Sequence, residues 1–319
     1  MNEAHAQNHR TRAMGMAVLS SLASKGGNAI LMLVSIPLAF RVLGEARYGV
    51  FGVVQTLMFF ITMSDLGMGP GIMRRIASAV AKGNRAEETA VISCGFFITL
   101  GFVLITAAIF VGLMLTVPVT TLFGQGFEPV QDELRTNLWL AGGMFLTMLL
   151  VSMVERAREG YQEIHIGNSF GAAQNVIAAC VLYFGVQHWP SVTFLMLAIY
   201  GTQAVIGVSN ATHVLWHRPW LVPRWSSLDR RLSKRMVGEG LALFTAGTMS
   251  PIFQREGTKW LLGQMMGQQG PTVLGRYTIL IQLGFFLYGF VLMVSRPLWP
   301  AVADAVARGD LGWVRAARN

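Results

Sequence analysis

The sequence predicts an all-α fold, a polytopic transmembrane helix bundle, and three observations carry that prediction. Long apolar segments follow one another from Met14 to Trp299, separated by short polar loops. Of the 319 residues, 53% are hydrophobic and 13% charged, against about 25% charged in an ordinary soluble domain; the mean hydropathy is +0.50. The positive charge gathers on alternate loops. That pattern reports membrane topology and leaves no compact basic groove for nucleic acid.

A helix crossing about 30 Å of hydrocarbon needs roughly 20 apolar residues, each rising about 1.5 Å. Eight segments qualify: 14–40, 48–69, 89–117, 137–154, 168–187, 191–215, 240–262 and 274–296. They are continuous apolar runs rather than short alternating stretches, which excludes membrane strands. The first is too long for a signal-peptide core and contains Lys25, so it reads as an uncleaved first helix. The second runs into Gly67, Gly69, Pro70 and Gly71, a break in the helical pattern. The fourth and fifth are short and glycine-rich. Cys94 and Cys180 both fall within predicted spans, have no metal spacing and read as packing residues.

Eighteen of the 25 Lys and Arg residues lie on the N-terminus, the even-numbered loops and the tail, and four lie on the opposite side. Three, Lys25, Arg255 and Lys259, lie inside spans. The split places the N-terminus and the even-numbered loops in the cytoplasm.

An internal match divides the chain. Arg47-Tyr48 opens the second span, which closes into Ala79-Val80-Ala81-Lys82-Gly83-Asn84. Arg276-Tyr277 opens the eighth, which closes into Ala305-Val306-Ala307-Arg308-Gly309-Asp310. The two stretches run in the same direction, so a parallel repeat is expected: a first six-helix lobe over 1–215, a basic amphipathic linker over 216–239, and two helices of an incomplete second lobe over 240–319. The linker, with Trp220, Trp225 and the run Arg230-Arg231-Leu232-Ser233-Lys234-Arg235, reads either as a helix on the anionic inner leaflet or as an ordinary cytoplasmic loop. The chain ends two helices into the second half, so a fragment or truncated member is expected.

Leu43-Gly44-Glu45-Ala46-Arg47-Tyr48-Gly49, then Ser64-Asp65-Leu66-Gly67-Met68-Gly69, then Arg74-Arg75-Ile76-Ala77, resemble the first repeat of the polysaccharide-transporter (Wzx-like oligosaccharide flippase) family. That family belongs to the superfamily that includes the multidrug and toxin extrusion antiporters. The resemblance is sharpest over roughly 40–90. It implies two six-helix lobes around a central cavity, and movement of undecaprenyl-diphosphate-linked oligosaccharides from the cytoplasmic to the periplasmic leaflet. The implied setting is the bacterial inner membrane, beside glycosyltransferases and a polysaccharide polymerase, with membrane lipids as neighbours and no cofactor.

Charges at bilayer depth cost about 2.5–3.5 kcal/mol on insertion scales and tend to face a cavity. Arg255 and Lys259 share a helix face and suit a diphosphate, unless Glu256, three residues before Lys259, simply neutralises it. Ser20, Ser21, Ser24, Lys25, Gly26, Gly27 and Asn28 make a polar stretch in the first span. Lys25 and Asn28 are expected to line the substrate path, or the small residues to serve close helix packing. Asp65 and Glu256 are the ion-coupling candidates; Asp65 otherwise caps the glycine-rich break or pairs with Arg74 or Arg75. Glu155-Arg156 read as interface anchors. The histidines are scattered without metal spacing, and no phosphate loop is present. The leading expectation is therefore a flippase working by alternating access, not an enzyme. A cation-coupled multidrug exporter, which would want an acidic cavity, is the alternative. A multispanning glycolipid-modifying enzyme is the weaker third, since the outer loop 118–136 has carboxylates but no histidine.

Overall fold

A computed structural model describes residues 3–62, 67–247, 256–285 and 287–288, with side chains from 19–58, 67–245, 256–285 and 287–288. The described residues form helices and no strand. The chain divides into two compact units, Met1–Gly275 and Arg276–Asn319. In the second unit residues 276–285 are helical, and the closing stretch of the internal match lies outside the described residues. All that follows concerns the first unit.

Helix α1, Glu3–Thr62, contains the first predicted span, 14–40, and the second, 48–69, as far as Thr62. Its apolar stretch, Leu19–Met58, is 40 residues long, about 60 Å of helix and twice the hydrocarbon thickness. It must therefore break. The break is Gly44, at φ 76° and ψ 173°, where a side chain would be strained. Pro37 lies seven residues before it.

The glycine-rich break predicted at the end of the second span is a second helix start. Gly67 sits at φ +67°, and a Cβ on it would lie 2.6 Å from the Gly240 carbonyl oxygen. Helix α2, Met68–Ala81, follows. Met68, Ile72, Ile76 and Ala79, three or four apart, face inward, while Arg74 is exposed. Asn84 then caps α3, Arg85–Thr116, by accepting from the Glu87 N–H at 3.1 Å. Beyond α3 come α4, Val119–Phe123, and a 3₁₀ segment, Gln125–Val130. Helix α5, Gln131–Gly160, is longer at both ends than the predicted fourth span, because polar turns extend it past the apolar run. Helix α6 is Ile164–Gly185. Helix α7, Val192–Met196, passes through a π-helical turn at Leu197–Gly201 into α8, Thr202–His217.

The linker is neither loop nor wholly amphipathic helix. Two 3₁₀ turns, Pro219–Leu221 and Trp225–Ser227, lead to α9, Arg230–Gly247. Asp229 starts that helix by accepting from the Arg231 and Leu232 N–H groups at 2.7 and 3.1 Å, which holds its carboxyl below the ordinary range. Helix α10, Thr258–Met265, follows, and residues 270–275 are again helical.

Among the described residues, four stretches are long and apolar enough to cross a membrane: Leu19–Met58, Arg85–Thr116, Gln125–Gly160 and Val192–His217. Helix α6 has the length, at 22 residues, but Asn168, Ser169, Gln174 and Asn175 dilute its hydropathy. Leu104, Ile105, Ile109 and Leu115 of α3 are about 60% or more exposed, as expected of a surface whose solvent is lipid. Cys180 is exposed as well, so only Cys94 is the buried packing residue expected. The firmest core lies at the end of the bundle that carries the basic loops, where α2, α3, α5, α8 and α9 meet through Ile72, Ile76, Ile92, Met153, Val214 and Met236.

Candidate functional site

Helix α6 lies along α1 more extensively than any other two described helices lie on each other, and the sequence explains why. A Cβ on Gly27 would stand 3.3 Å from the Ala172 carbonyl, and one on Gly171 would stand 3.2 Å from the Ser24 hydroxyl. The backbones are therefore close, as small residues permit between helices in lipid. Asn168 donates to the Ser20 hydroxyl at 3.1 Å, and Asn175 donates to the Ser24 carbonyl at 3.4 Å. The polar stretch of the first span thus faces a polar stretch of the fifth. Each satisfies the other.

Where α1 and α6 meet α5 and α8, a cavity of about 460 Å³ opens, within the range of about 300–1,000 Å³ usual for small-molecule sites. Its polar lining comes from four helices: Ser24 of α1; Ser152, Glu155, Arg156, Arg158 and Glu159 of α5; Asn168 and Gln174 of α6; Gln203 and Asn210 of α8. Phe145 and Phe170 supply aromatic wall. Asn210 donates to Glu155 at 2.9 Å, and Arg156 pairs with Glu159 at 2.9 Å.

Arg158 is the deepest cation at this end, only 2% exposed. It reaches Glu163 at 3.4 Å, the Asn210 carbonyl at 3.4 Å and His213 Nδ1 at 3.0 Å, with its guanidinium 5.8 Å over the Phe170 ring. Because the guanidinium can only donate, His213 Nδ1 accepts and the imidazole is neutral. Glu163 holds Arg218 as well, at 2.5 Å, and Arg218 lies 3.9 Å over the Tyr161 ring. Tyr161 donates to buried Glu88, which also accepts from Trp220 Nε1 at 2.8 Å. A chain of charges and hydrogen bonds therefore ties the start of the linker to α3 and to the loop after α5.

Tyr161 sits beyond the end of α5. Burial first, and then the Glu88 carboxylate that its hydroxyl serves, push the phenol well above its ordinary pKa of about 10. A raised acid stabilises the fold fully below the unfolded value, and loses that contribution as pH rises above it. In an alkaline titration the difference between the parent and Tyr161→Phe is expected to show no phenolate absorbance as the pH passes about 10. An ordinary phenolate step there would show the contact with Glu88 to be wrong.

The residues singled out in the sequence fall in several places. Lys25 and Asn28 are exposed on α1, next to Ser24 but not in the chamber's wall. Lys259 and Glu256 are 2% and 0% exposed. They pair with each other at 3.0 Å, and Thr56 of α1 donates to Glu256 at 2.7 Å. That is the arrangement the sequence offered as the rival to a diphosphate site. Asp65 and Arg255 lie outside the described residues. Glu155 and Arg156, read as interface anchors, line the chamber instead. Helix α5 continues to Gly160, so both lie within the helix and not on the loop after it, each partly buried. Arg158, Gln174, Gln203 and Asn210 went unnoticed. A signal existed, since Gln203 and Asn210 are seven apart and Asn168 and Asn175 are seven apart, each pair on one helix face.

One family description, "Polysaccharide biosynthesis protein", matches residues 15–306. The chain belongs to that family. The polysaccharide biosynthesis family membership agrees with the flippase-family resemblance of the Leu43–Ala77 motifs, and it makes the chain a multi-pass membrane protein with a polysaccharide-related transporter role. Comparisons with curated proteins and with solved structures give no match.

Proposed function

We propose that the protein moves a polyprenyl-diphosphate-linked oligosaccharide from the cytoplasmic to the periplasmic leaflet of a bacterial inner membrane by alternating access, N-terminus inside. The observation that carries this reading is the polar chamber held among helices of membrane-spanning length. Polar and charged groups at bilayer depth are costly, and a hydrophilic head group passing through while its lipid tail stays in the bilayer gives them a use. Family membership supports the same reading.

In this reading Lys25 and Asn28, exposed on α1, meet the diphosphate together with Arg255. Lys259 joins them by exchanging Glu256 for a phosphate, which frees Glu256 to take up a coupling ion; Asp65 is the second ion-coupling group. Glycosyltransferases supply the lipid-linked glycan, and a polymerase consumes it. The test is leaflet reorientation of a labelled lipid-linked oligosaccharide in proteoliposomes. Lys25→Ala and Arg255→Ala, inserted normally, are each expected to slow it about tenfold or more, the worth of one charge-assisted contact. Full rates in both would discard the diphosphate site, and no reorientation by the parent protein would discard the function.

A further inference from the structure

The chamber between α1, α5, α6 and α8 differs in chemistry from a diphosphate site. Its wall carries two carboxylates, Glu155 and Glu159, and two guanidiniums, Arg156 and Arg158. The formal charge of the wall is therefore zero. Each cation already holds a carboxylate, Arg156 with Glu159 and Arg158 with Glu163, and keeps a buried Nε–H without a partner. A diphosphate requires surplus donors of positive charge. A cationic drug requires surplus carboxylate. Taken as a whole, the wall's two carboxylates and two guanidiniums cancel, so it carries no net charge of either sign.

What the wall offers instead is a mixed set of uncharged donors and acceptors: the amides of Asn168, Gln174, Gln203 and Asn210, and the hydroxyls of Ser24 and Ser152. The rings of Phe145 and Phe170 stand beside them. Asn210 is 4% exposed, donates its N–H to Glu155, and leaves its side-chain oxygen without a partner. A buried acceptor in that state gains from a hydroxyl donor brought to it. Molecules that carry many hydroxyls, no net charge, and an apolar C–H face for an aromatic ring are sugars. The volume of about 460 Å³ has room for a mono- or disaccharide.

We infer that this chamber is a saccharide subsite, one that takes an uncharged sugar unit of the glycan and is separate from the place where the diphosphate is held. The inference rests on the proposed flippase reading, and it adds which part of the substrate enters the first lobe and what chemistry recognises it. The amides sort hydroxyl patterns, the balanced charges exclude ionised groups, and the diphosphate stays outside with the lipid.

Saturation-transfer NMR on the purified full chain in nanodiscs tests this with a fixed set of probes: N-acetylglucosamine, galactose, glucuronic acid, glucosamine, inorganic diphosphate and tetraphenylphosphonium. The neutral sugars are expected to bind at millimolar concentration, ahead of the charged probes. Gln174→Leu combined with Gln203→Leu is expected to weaken that binding about tenfold, the worth of one or two hydrogen bonds. Ala204→Phe, which fills the chamber without removing an amide, is expected to abolish it. Gly101→Ala, with nothing within 4 Å of the new Cβ, is the control and is expected to bind as the parent does. Stronger binding of diphosphate or tetraphenylphosphonium, no neutral-sugar signal in the parent, or equal signals in parent and Ala204→Phe would each overturn the assignment. The proteoliposome assay separates the two readings. Sugar binding lost in Ala204→Phe while the parent moves no lipid-linked glycan would sink the flippase and leave the subsite; normal reorientation in Ala204→Phe would do the reverse.

Discussion

Glu163→Gln is expected to lower the unfolding free energy of the protein by about 3 kcal/mol, the lower end of the cost of breaking a buried ion pair by removing one partner. The lower end applies because the Glu163 side chain is 24% exposed. Glu163 is the single carboxylate between two guanidiniums, Arg158 at 3.4 Å and Arg218 at 2.5 Å. Neutralising it leaves Arg158, 2% exposed, without its counter-ion and facing a second cation. Arg158→Met is expected to cost less, because Glu163 keeps Arg218 and the methionine fills the vacated space with apolar atoms. The order of the two effects is the test, read from thermal unfolding in nanodiscs at constant lipid composition. Equal losses, or a larger loss in Arg158→Met, would mean that Glu163 is not the hub. The same substitution should loosen the start of the linker, since Arg218 would lose its tether. Faster hydrogen exchange at the Leu221 amide, which donates to the Arg218 carbonyl at 3.0 Å, would report that.

How much of this was legible in the sequence follows from what kind of quantity each feature is. Hydropathy is a sum along the chain, so the succession of long apolar segments could be read directly. The pairing of Lys259 with Glu256 is a local, three-residue relation on one helix, and it too was readable. So was the close packing of Gly27, because small residues have few other uses in a span. The chamber was not readable. Its wall is assembled from Glu155, Gln174, Gln203 and Asn210 on three helices, and their convergence depends on how those helices cross. The same argument covers Arg158. Nothing local marks it out from Arg156, yet the Arg158 side chain is 2% exposed and that of Arg156 38%. The linker misled in a different way: the run from Arg230 to Arg235 read as part of a linker, whereas the Asp229 carboxylate starts α9 there, ten residues before the predicted seventh span begins.

Gly49→Ala is expected to be the most disruptive single-methyl substitution in the first unit. A Cβ at Gly49 would lie 1.9 Å from the Pro271 carbonyl oxygen and 2.7 Å from its carbon. Both are backbone atoms, so no side-chain rotation relieves the clash, and the chains must separate. Gly275→Ala repeats the fault from the opposite side, with its Cβ 2.3 Å from the Glu45 carbonyl oxygen. Each should cost about 3 kcal/mol, the upper end for overpacking. Gly26→Ala and Gly101→Ala have nothing within 4 Å of the new methyl, and the better helix propensity of alanine should leave them neutral or up to about 1 kcal/mol more stable. A side-by-side unfolding series on the four variants decides the matter, because composition and hydropathy change identically in all of them. Were all four to behave alike, the two backbones would not be in contact. The position of the crossing gives the comparison its weight. Gly49 follows Arg47-Tyr48, and Gly275 precedes Arg276-Tyr277, so this close backbone approach falls beside both Arg-Tyr pairs.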